Sequence, residues 1–303
     1  DLGAPAVLLT MTAFGTLRGL QEMRIPLVVA VGVNVLNIIL DSVLIFGYGF
    51  IPPMGISGAA IASVISQWIG AIWAVWAVLG RLGISRAFDM RDTRRLLQIG
   101  GDLFVRTGLL NLFLIFTTRA ATRIGAESGA AHQAIRQVWL FSTLVLDAYA
   151  ISGQSLVAYF YSPERLQIAR RVAAVVCKWS VVTGVVLGAA MWAATDLVMA
   201  LLLPPAAVSV FYWPWVLVVL LQPINALAFA TDGVHWGTGD FRYLRNAVLV
   251  ATAVGTVGIY MVDESHADAL TAVWAVSAIW ITVRAAFGIV RIWPGIGRSP
   301  LSV

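Results

Sequence analysis

Apolar residues fall along this chain in nine long runs, at approximately 4–21, 25–47, 56–80, 98–124, 130–160, 168–195, 208–235, 243–262 and 268–293. Most match or exceed the roughly 20 residues a helix needs to cross the hydrocarbon core of a bilayer. The breaks between them carry turn chemistry. Pro26 opens a run where a missing N–H does no harm, and Pro52-Pro53, Pro204-Pro205 and Gly237-Thr238-Gly239 interrupt the others. A backbone facing lipid must satisfy its own hydrogen bonds, so runs of this length predict helices. The expected fold is an all-α polytopic membrane protein with nine transmembrane helices in this chain.

Composition agrees. Hydrophobic residues make up 60% of the chain and charged residues 12%, with a mean hydropathy of +0.87. A soluble domain carries about 25% charged residues. The net charge of +5 does not point to nucleic acid, because all but one of the basic residues are Arg (the exception is Lys178) and most sit between the apolar runs. One set of loops holds Arg18 and Arg24; Arg81, Arg86, Arg91, Arg94 and Arg95; Arg165, Arg170 and Arg171; Arg242 and Arg245; then Arg291 and Arg298. The alternate loops are nearly free of basic residues, with Arg119 and Arg123 the exceptions. The positive-inside rule then places the C-terminus in the cytoplasm and Asp1 on the outer side of an inner (plasma) membrane.

The chain also repeats itself. Pro5, Leu9, Gly15, Gly19 and Arg24 return 218 residues later as Pro223, Leu227, Gly233, Gly237 and Arg242, five identities in 22 aligned positions without a gap. This predicts two homologous helical bundles in parallel repeat. Residues 1–80 would form three helices of the first lobe, 81–97 an interlobe linker, 98–293 six helices of the second lobe, and 294–303 a cytoplasmic tail. On that reckoning about 126 residues of the first lobe precede Asp1, and the whole would have twelve helices.

Several stretches resemble a known family. They are Leu2-Gly3-Ala4-Pro5, Leu17-Arg18-Gly19, Asn34-Val35-Leu36-Asn37-Ile38-Ile39-Leu40-Asp41, Gly55-Ile56-Ser57-Gly58-Ala59-Ala60-Ile61-Ala62-Ser63, and Ala130-Ala131-His132-Gln133-Ala134-Ile135. With Asp102-Leu103-Phe104-Val105-Arg106-Thr107, Asp147-Ala148, Asp232-Gly233 and Gly237-Thr238-Gly239-Asp240, their order is similar to that of the multidrug and toxic compound extrusion transporters, in the DNA-damage-inducible-F branch. The resemblance runs from the family's fourth helix to its twelfth. It implies two six-helix bundles and export of organic molecules against an inward flow of H⁺ or Na⁺. The acidic residue of the family's first helix, central to coupling in this branch, has no counterpart within this chain.

No enzyme constellation stands out: His132, His235 and His266 lack metal-ligand spacing, so no metal and no cofactor beyond the coupling ion is expected. Intramembrane ionisable groups carry the information instead, because each is costly unless it faces a cavity or a partner. Asn34, Asn37 and Asp41 share a helix face by their three-then-four spacing. The resemblance implies cation coupling at Asn37 and Asp41, with Ser63 nearby. In the second lobe Asp232, Asn225 and Trp236 share a face, Asp147 and Gln154 share another, and Trp139 is a candidate cavity wall. These read as a site for a cationic substrate or the driving ion. Asp102 and Arg106 have the spacing of an internal ion pair.

The leading expectation is a monomeric antiporter exporting cationic or amphipathic compounds by alternating access. Two other readings stay open: a lipid-linked precursor flippase, for which Arg106, Arg119, Arg123 and Arg136 would supply positive charge, and a truncated, non-transporting membrane scaffold. Either way the partners are the bilayer and small organic molecules, not nucleic acid.

Overall fold

In the computed structural model, which describes residues 2–49, 51–83 and 89–302, the apolar runs are helices and the described residues contain no strand. They are α1 (Ala4–Gly19), α2 (Arg24–Phe46), α3 (Gly55–Leu82), α4 (Met90–Ile124), α5 (Ala126–Phe160), α6 (Leu166–Ala193), α7 (Thr195–Leu202), α8 (Val208–Thr238), α9 (Phe241–Tyr260) and α10 (Ala269–Ile292). The short α7 lies where a loop was expected. Asp196 in its first turn complements the helix dipole, and the Thr195 hydroxyl accepts a hydrogen bond from Trp215 Nε1 at 2.9 Å.

Seven of these helices are long and apolar enough to cross a membrane: α2 to α6, α8 and α10. Nine spans were expected, and α1 and α9 are the two that fall short. With 16 residues, α1 is about 24 Å long against a core of about 30 Å. Arg242, Arg245 and Asn246 occupy the first two turns of α9 and shorten its apolar stretch.

The chain divides into two units, residues 1–88 and 89–303. The first holds α1 to α3 and the second α4 to α10. Much of the segment read as a linker is helix, because α3 continues through Leu82 and α4 begins at Met90. Asp89 caps α4 by accepting a hydrogen bond from the Arg91 amide at 2.8 Å. Residues 84–88, which include Arg86, lie outside the described residues.

Within each unit the repeat is visible as a packing rule. In the first, α3 packs on both α1 and α2, which touch each other little; in the second, α10 packs on both α8 and α9, which likewise touch little. The glycine pair common to both copies has different surroundings. A Cβ on Gly233 would lie 2.2 Å from the Ala150 carbonyl oxygen, and one on Gly237 2.7 Å from that of Gln154. Gly15 and Gly19 have no such neighbour within 4 Å, for the first unit holds no described counterpart of α5. The glycines of the second copy therefore serve close approach of α5 to α8.

The tail is folded back on the second unit. Arg291 donates from Nη1 to the Ile296 carbonyl at 2.8 Å and from Nη2 to that of Arg298 at 2.9 Å, while its Nε donates to Asp240 at 2.8 Å. Leu301 is thereby buried among Val157, Ala169, Ala173, Val234 and Ile292. One guanidinium thus satisfies chain-end carbonyls, and one leucine closes the end of the bundle.

Replacing Gly233 with Val should cost about 1–3 kcal/mol or prevent folding, since backbone rather than a flexible side chain blocks the added atoms. Thermal unfolding in detergent would measure it, and a wild-type midpoint would contradict the close crossing. Leu301→Ala should cost about 2–5 kcal/mol by the same measurement. No change there would mean that the tail does not hold the bundle end.

Candidate functional site

Two polar clusters lie in otherwise apolar helix packing, one in each unit: the first is formed by half-buried Asn37 and Asp41 with buried Ser66, the second by buried side chains. In the first unit α2 and α3 run antiparallel, in a register fixed by close contacts. A Cβ on Gly70 would meet Val33, and one on Gly58 would lie 2.5 Å from the Leu44 carbonyl oxygen. That register sets Asn37 opposite Ser66 and Asp41 opposite Ala62. The α3 face involved repeats small residues every fourth position, Gly58, Ala62, Ser66, Gly70 and Ala74, all buried.

Against that smooth face Asp41 Oδ1, Asn37 Nδ2 and Ser66 Oγ are buried without a hydrogen-bond partner. A buried carboxylate oxygen in this condition is costly unless it binds a proton or a cation. The expected stripe is only partly kept. Asn34 is exposed and its Nδ2 donates to the Ala30 carbonyl at 2.8 Å, one turn back on its own helix. Ser63 is half-buried, whereas Ser66 is 1% exposed. Ser66 was not singled out in the sequence, although its place in the four-residue rhythm of small residues marks it.

In the second unit Asp232 of α8 accepts hydrogen bonds from two arginines. Arg284 of α10 donates from Nη2 at 2.9 Å, and Arg106 of α4 donates from its own Nη2. All three side chains are at most 8% exposed. The Arg106 guanidinium lies over the Trp236 ring, 5.1 Å from its centroid, and that of Arg284 over Trp280 at 4.8 Å. The Nε atoms of both arginines and Trp236 Nε1 have no partner.

This arrangement replaces two expectations. Asp102 and Arg106 do not pair with each other: Asp102 accepts from Arg245 Nη1 of α9 at 2.5 Å, while Arg106 reaches across to α8. Facing helices offered each a better-placed partner than the next turn of α4 did. Asp232 is not a free carboxylate waiting for a cation, because two guanidiniums already occupy it. Arg284 was missed, yet the rule that drew attention to Asp232, an ionisable group inside an apolar run, applies to it equally.

The remaining candidates are spread through the second unit. Asn225 is fully buried on α8 with neither amide atom partnered, and the neighbouring Gln222 Oε1 accepts from Ser142 Oγ at 3.2 Å. Trp139 is buried and lines a narrow crevice with His132, Arg136, Trp274 and Trp280. Asp147 and Gln154 are half-buried on α5, which contributes no member of the Asp232 cluster. Arg119 and Arg123 line a shallow crevice beside Asp263 and Glu264, with Arg123 Nε 3.6 Å from Glu264.

Comparison with known proteins gives these clusters their setting. A profile of the MatE family matches residues 103–262. Protein DETOXIFICATION 42 of Arabidopsis thaliana is 32% identical over 314 residues, covering 98% of this chain and 57% of the relative. DNA damage-inducible protein F of Escherichia coli is 29% identical over 269 residues, covering 83% of this chain and 56% of the relative. The chain thus spans little more than half the length of either. A crystal structure of a mutant of the Vibrio cholerae MATE transporter VcmN superposes with a TM-score of 0.85 at 15% identity, over 97% of this chain and 67% of that one. The motifs read from the sequence, the profile across more than half of the chain and the 32% identity over nearly all of it converge: the chain belongs to the MatE family.

Proposed function

We propose that the whole protein is a secondary antiporter that exports organic molecules in exchange for inward-moving protons, with Asp41 as the proton carrier. The observation that carries this reading is the buried, unpartnered Asp41 Oδ1 on α2, with Asn37 on the same face and Ser66 opposite. Protonation converts that carboxylate into a neutral acid and removes the cost of its buried charge. A helix arrangement that buries Asp41 is then favoured when it is protonated, and one that hydrates it when it is charged. A proton fits the site better than Na⁺ does. Hard cations take about six or more oxygen ligands, and Asp41, Asn37 and Ser66 together supply fewer. One charge crossing 100 mV provides about 2.3 kcal/mol, enough to sustain a substrate ratio near fifty.

The flippase reading needs arginines that converge on a pyrophosphate. Among its four candidates, Arg106 is held by Asp232, and Arg119 and Arg123 share their crevice with two acids. That arrangement favours export over headgroup translocation.

Asp41→Asn should abolish gradient-driven export, measured as dye or drug efflux from cells or proteoliposomes, with membrane expression retained. Undiminished efflux would remove Asp41 from the coupling step, and absence of efflux in the wild type would overturn the antiporter reading. Ser66→Ala keeps the packing volume and deletes one hydroxyl, so it should slow efflux several-fold without stopping it. An effect as complete as that of Asp41→Asn would mean that the hydroxyl itself carries the ion.

A further inference from the structure

Arg119 and Arg123 break the charge pattern of the loops, and neither the fold nor the coupling step uses them. They lie one turn apart on α4. Helices α4 and α9 run side by side in the same direction: Asp102 meets Arg245 toward one end, and the Phe116 and Tyr260 rings meet toward the other, 6.3 Å apart. Between their C-terminal ends lies a crevice of about 370 Å³, at the end of the bundle remote from the folded tail. Apolar side chains, Phe116 and Tyr260 among them, form its floor, and its charged lining is Arg119, Arg123, Asp263 and Glu264, two of each sign. Glu127 at the start of α5, and His266 and Asp268 ahead of α10, do not line it.

These four charges do not cancel in pairs. Arg123 Nε stands 3.6 Å from Glu264 with 58% and 40% of the two side chains exposed, a loose pair within reach of water. Arg119 makes no ion pair among the described residues. An arginine in the last turn complements the helix dipole, which accounts for Arg123 but not for Arg119, one turn farther in. Asp263 is engaged by neutral donors only. Its Oδ1 accepts from Ser265 Oγ at 2.6 Å and Ser265 N at 2.9 Å, which hold its carboxyl below the usual range and so ionised at neutral pH. A lone anion in the crevice meets two acids, and a lone cation meets two arginines. A zwitterion is attracted at both ends. A guanidinium fork fits phosphate oxygens, and a primary ammonium offers three donors to carboxylates. The apolar surface also continues beyond the crevice. Leu112 and Ile115 of α4 lie on the stripe below Arg119, Val257 of α9 lies one turn before Tyr260, and all three are exposed. Leu112 is about 10 Å along the helix from Arg119, within the hydrocarbon when the arginines sit among headgroups.

We propose that this crevice binds one phosphatidylethanolamine molecule of the bilayer. Arg119 and Arg123 hold its phosphate, Asp263 and Glu264 hold its ammonium, and an acyl chain lies along α4 and α9. The inference does not depend on the export reading. It gives the two arginines that depart from the loop pattern a partner in the membrane itself, and it tethers the α9–α10 loop to α4 through the lipid.

The test is native mass spectrometry of the full-length protein, delipidated in detergent and titrated in separate arms with phosphatidylethanolamine, phosphatidylcholine and phosphatidylglycerol of identical chains. One phosphatidylethanolamine should bind about tenfold more tightly than either of the others. The methylated ammonium of phosphatidylcholine cannot donate hydrogen bonds, and phosphatidylglycerol has no ammonium. Arg119→Gln leaves the Arg123–Glu264 pair in place, so without lipid it should unfold at the wild-type temperature, yet it should lose most of the preference. Glu264→Gln should weaken phosphatidylethanolamine binding several-fold and leave phosphatidylglycerol binding as strong or stronger, a split that loss of a purely structural ion pair would not produce. Equal binding of the three lipids would mean ordinary solvation by the bilayer and would overturn the proposal. A preference for phosphatidylglycerol, or wild-type lipid preference in Arg119→Gln, would overturn it too. Displacement of the lipid by water-soluble O-phosphoethanolamine at comparable concentration would assign the crevice to a soluble zwitterion instead. Asp41→Asn should keep the bound lipid, so failure of this inference leaves the coupling step standing.

Discussion

The second unit depends on how closely other helices can approach α8. Gly184 and Gly188 of α6 lie against the backbone of Gln222 and Val219, Gly233 and Gly237 of α8 lie against Ala150 and Gln154 of α5, and Gly288 of α10 lies against Thr231. Each contact is too tight for a Cβ. In lipid there is little hydrophobic drive for one helix to seek another, so this close approach is what makes packing worthwhile. It encloses α8 between α5, α6 and α10. Enclosure in turn makes the chemistry. A carboxylate on an enclosed helix cannot reach solvent, and Asp232 meets the requirement by taking arginines from α4 and α10.

That order of causes explains what the sequence revealed and what it hid. Helices were legible because length and hydropathy decide them locally, and all nine long helices lie at the expected runs. Whether each is long enough to span is a finer matter, settled at α9 by where Arg242 and Arg245 fall relative to its first turn. Partner choice was not legible. Asp102 and Arg106 have ideal spacing on one helix, yet each is better served across a helix interface, and no one-dimensional pattern encodes which neighbour will be there. Ser66 and Arg284 were hidden for a related reason. A serine in an apolar run is ordinary, and although Arg284 lies inside an apolar run, its 5% exposure and its partner on α8 appear only in the packing.

The tail illustrates how little polar chemistry is needed to convert a loose end into structure. Residues 294–302 lack any apolar run, and the sequence marks them only as an appendage. The clamp comes from one guanidinium with donors enough for Asp240 and two carbonyls, combined with a leucine that fits a gap among α5, α6, α8 and α10. Arginine suits this use because its planar fork bonds several acceptors at once, and stacking of Arg291 on Tyr243 at 4.6 Å holds it still.

The repeat carries scaffold and chemistry separately. At the 218-residue offset Gly15 and Gly19 keep glycines in the second copy, and Gly70 corresponds to Gly288, so small residues recur at three positions. The charged positions do not recur. Phe14 corresponds to Asp232, Ser66 to Arg284, and Asp41 to Ile259. One copy therefore places an unpartnered acid between its second and third helices, and the other places an over-neutralised acid between its first and third. In the first, Asp41 Oδ1 has no hydrogen-bond partner; in the second, Asp232 is held by two guanidiniums. Both copies thus keep small residues at the same three positions, while the acid of the second copy draws one of its two arginines, Arg106, from α4, outside the three repeated helices.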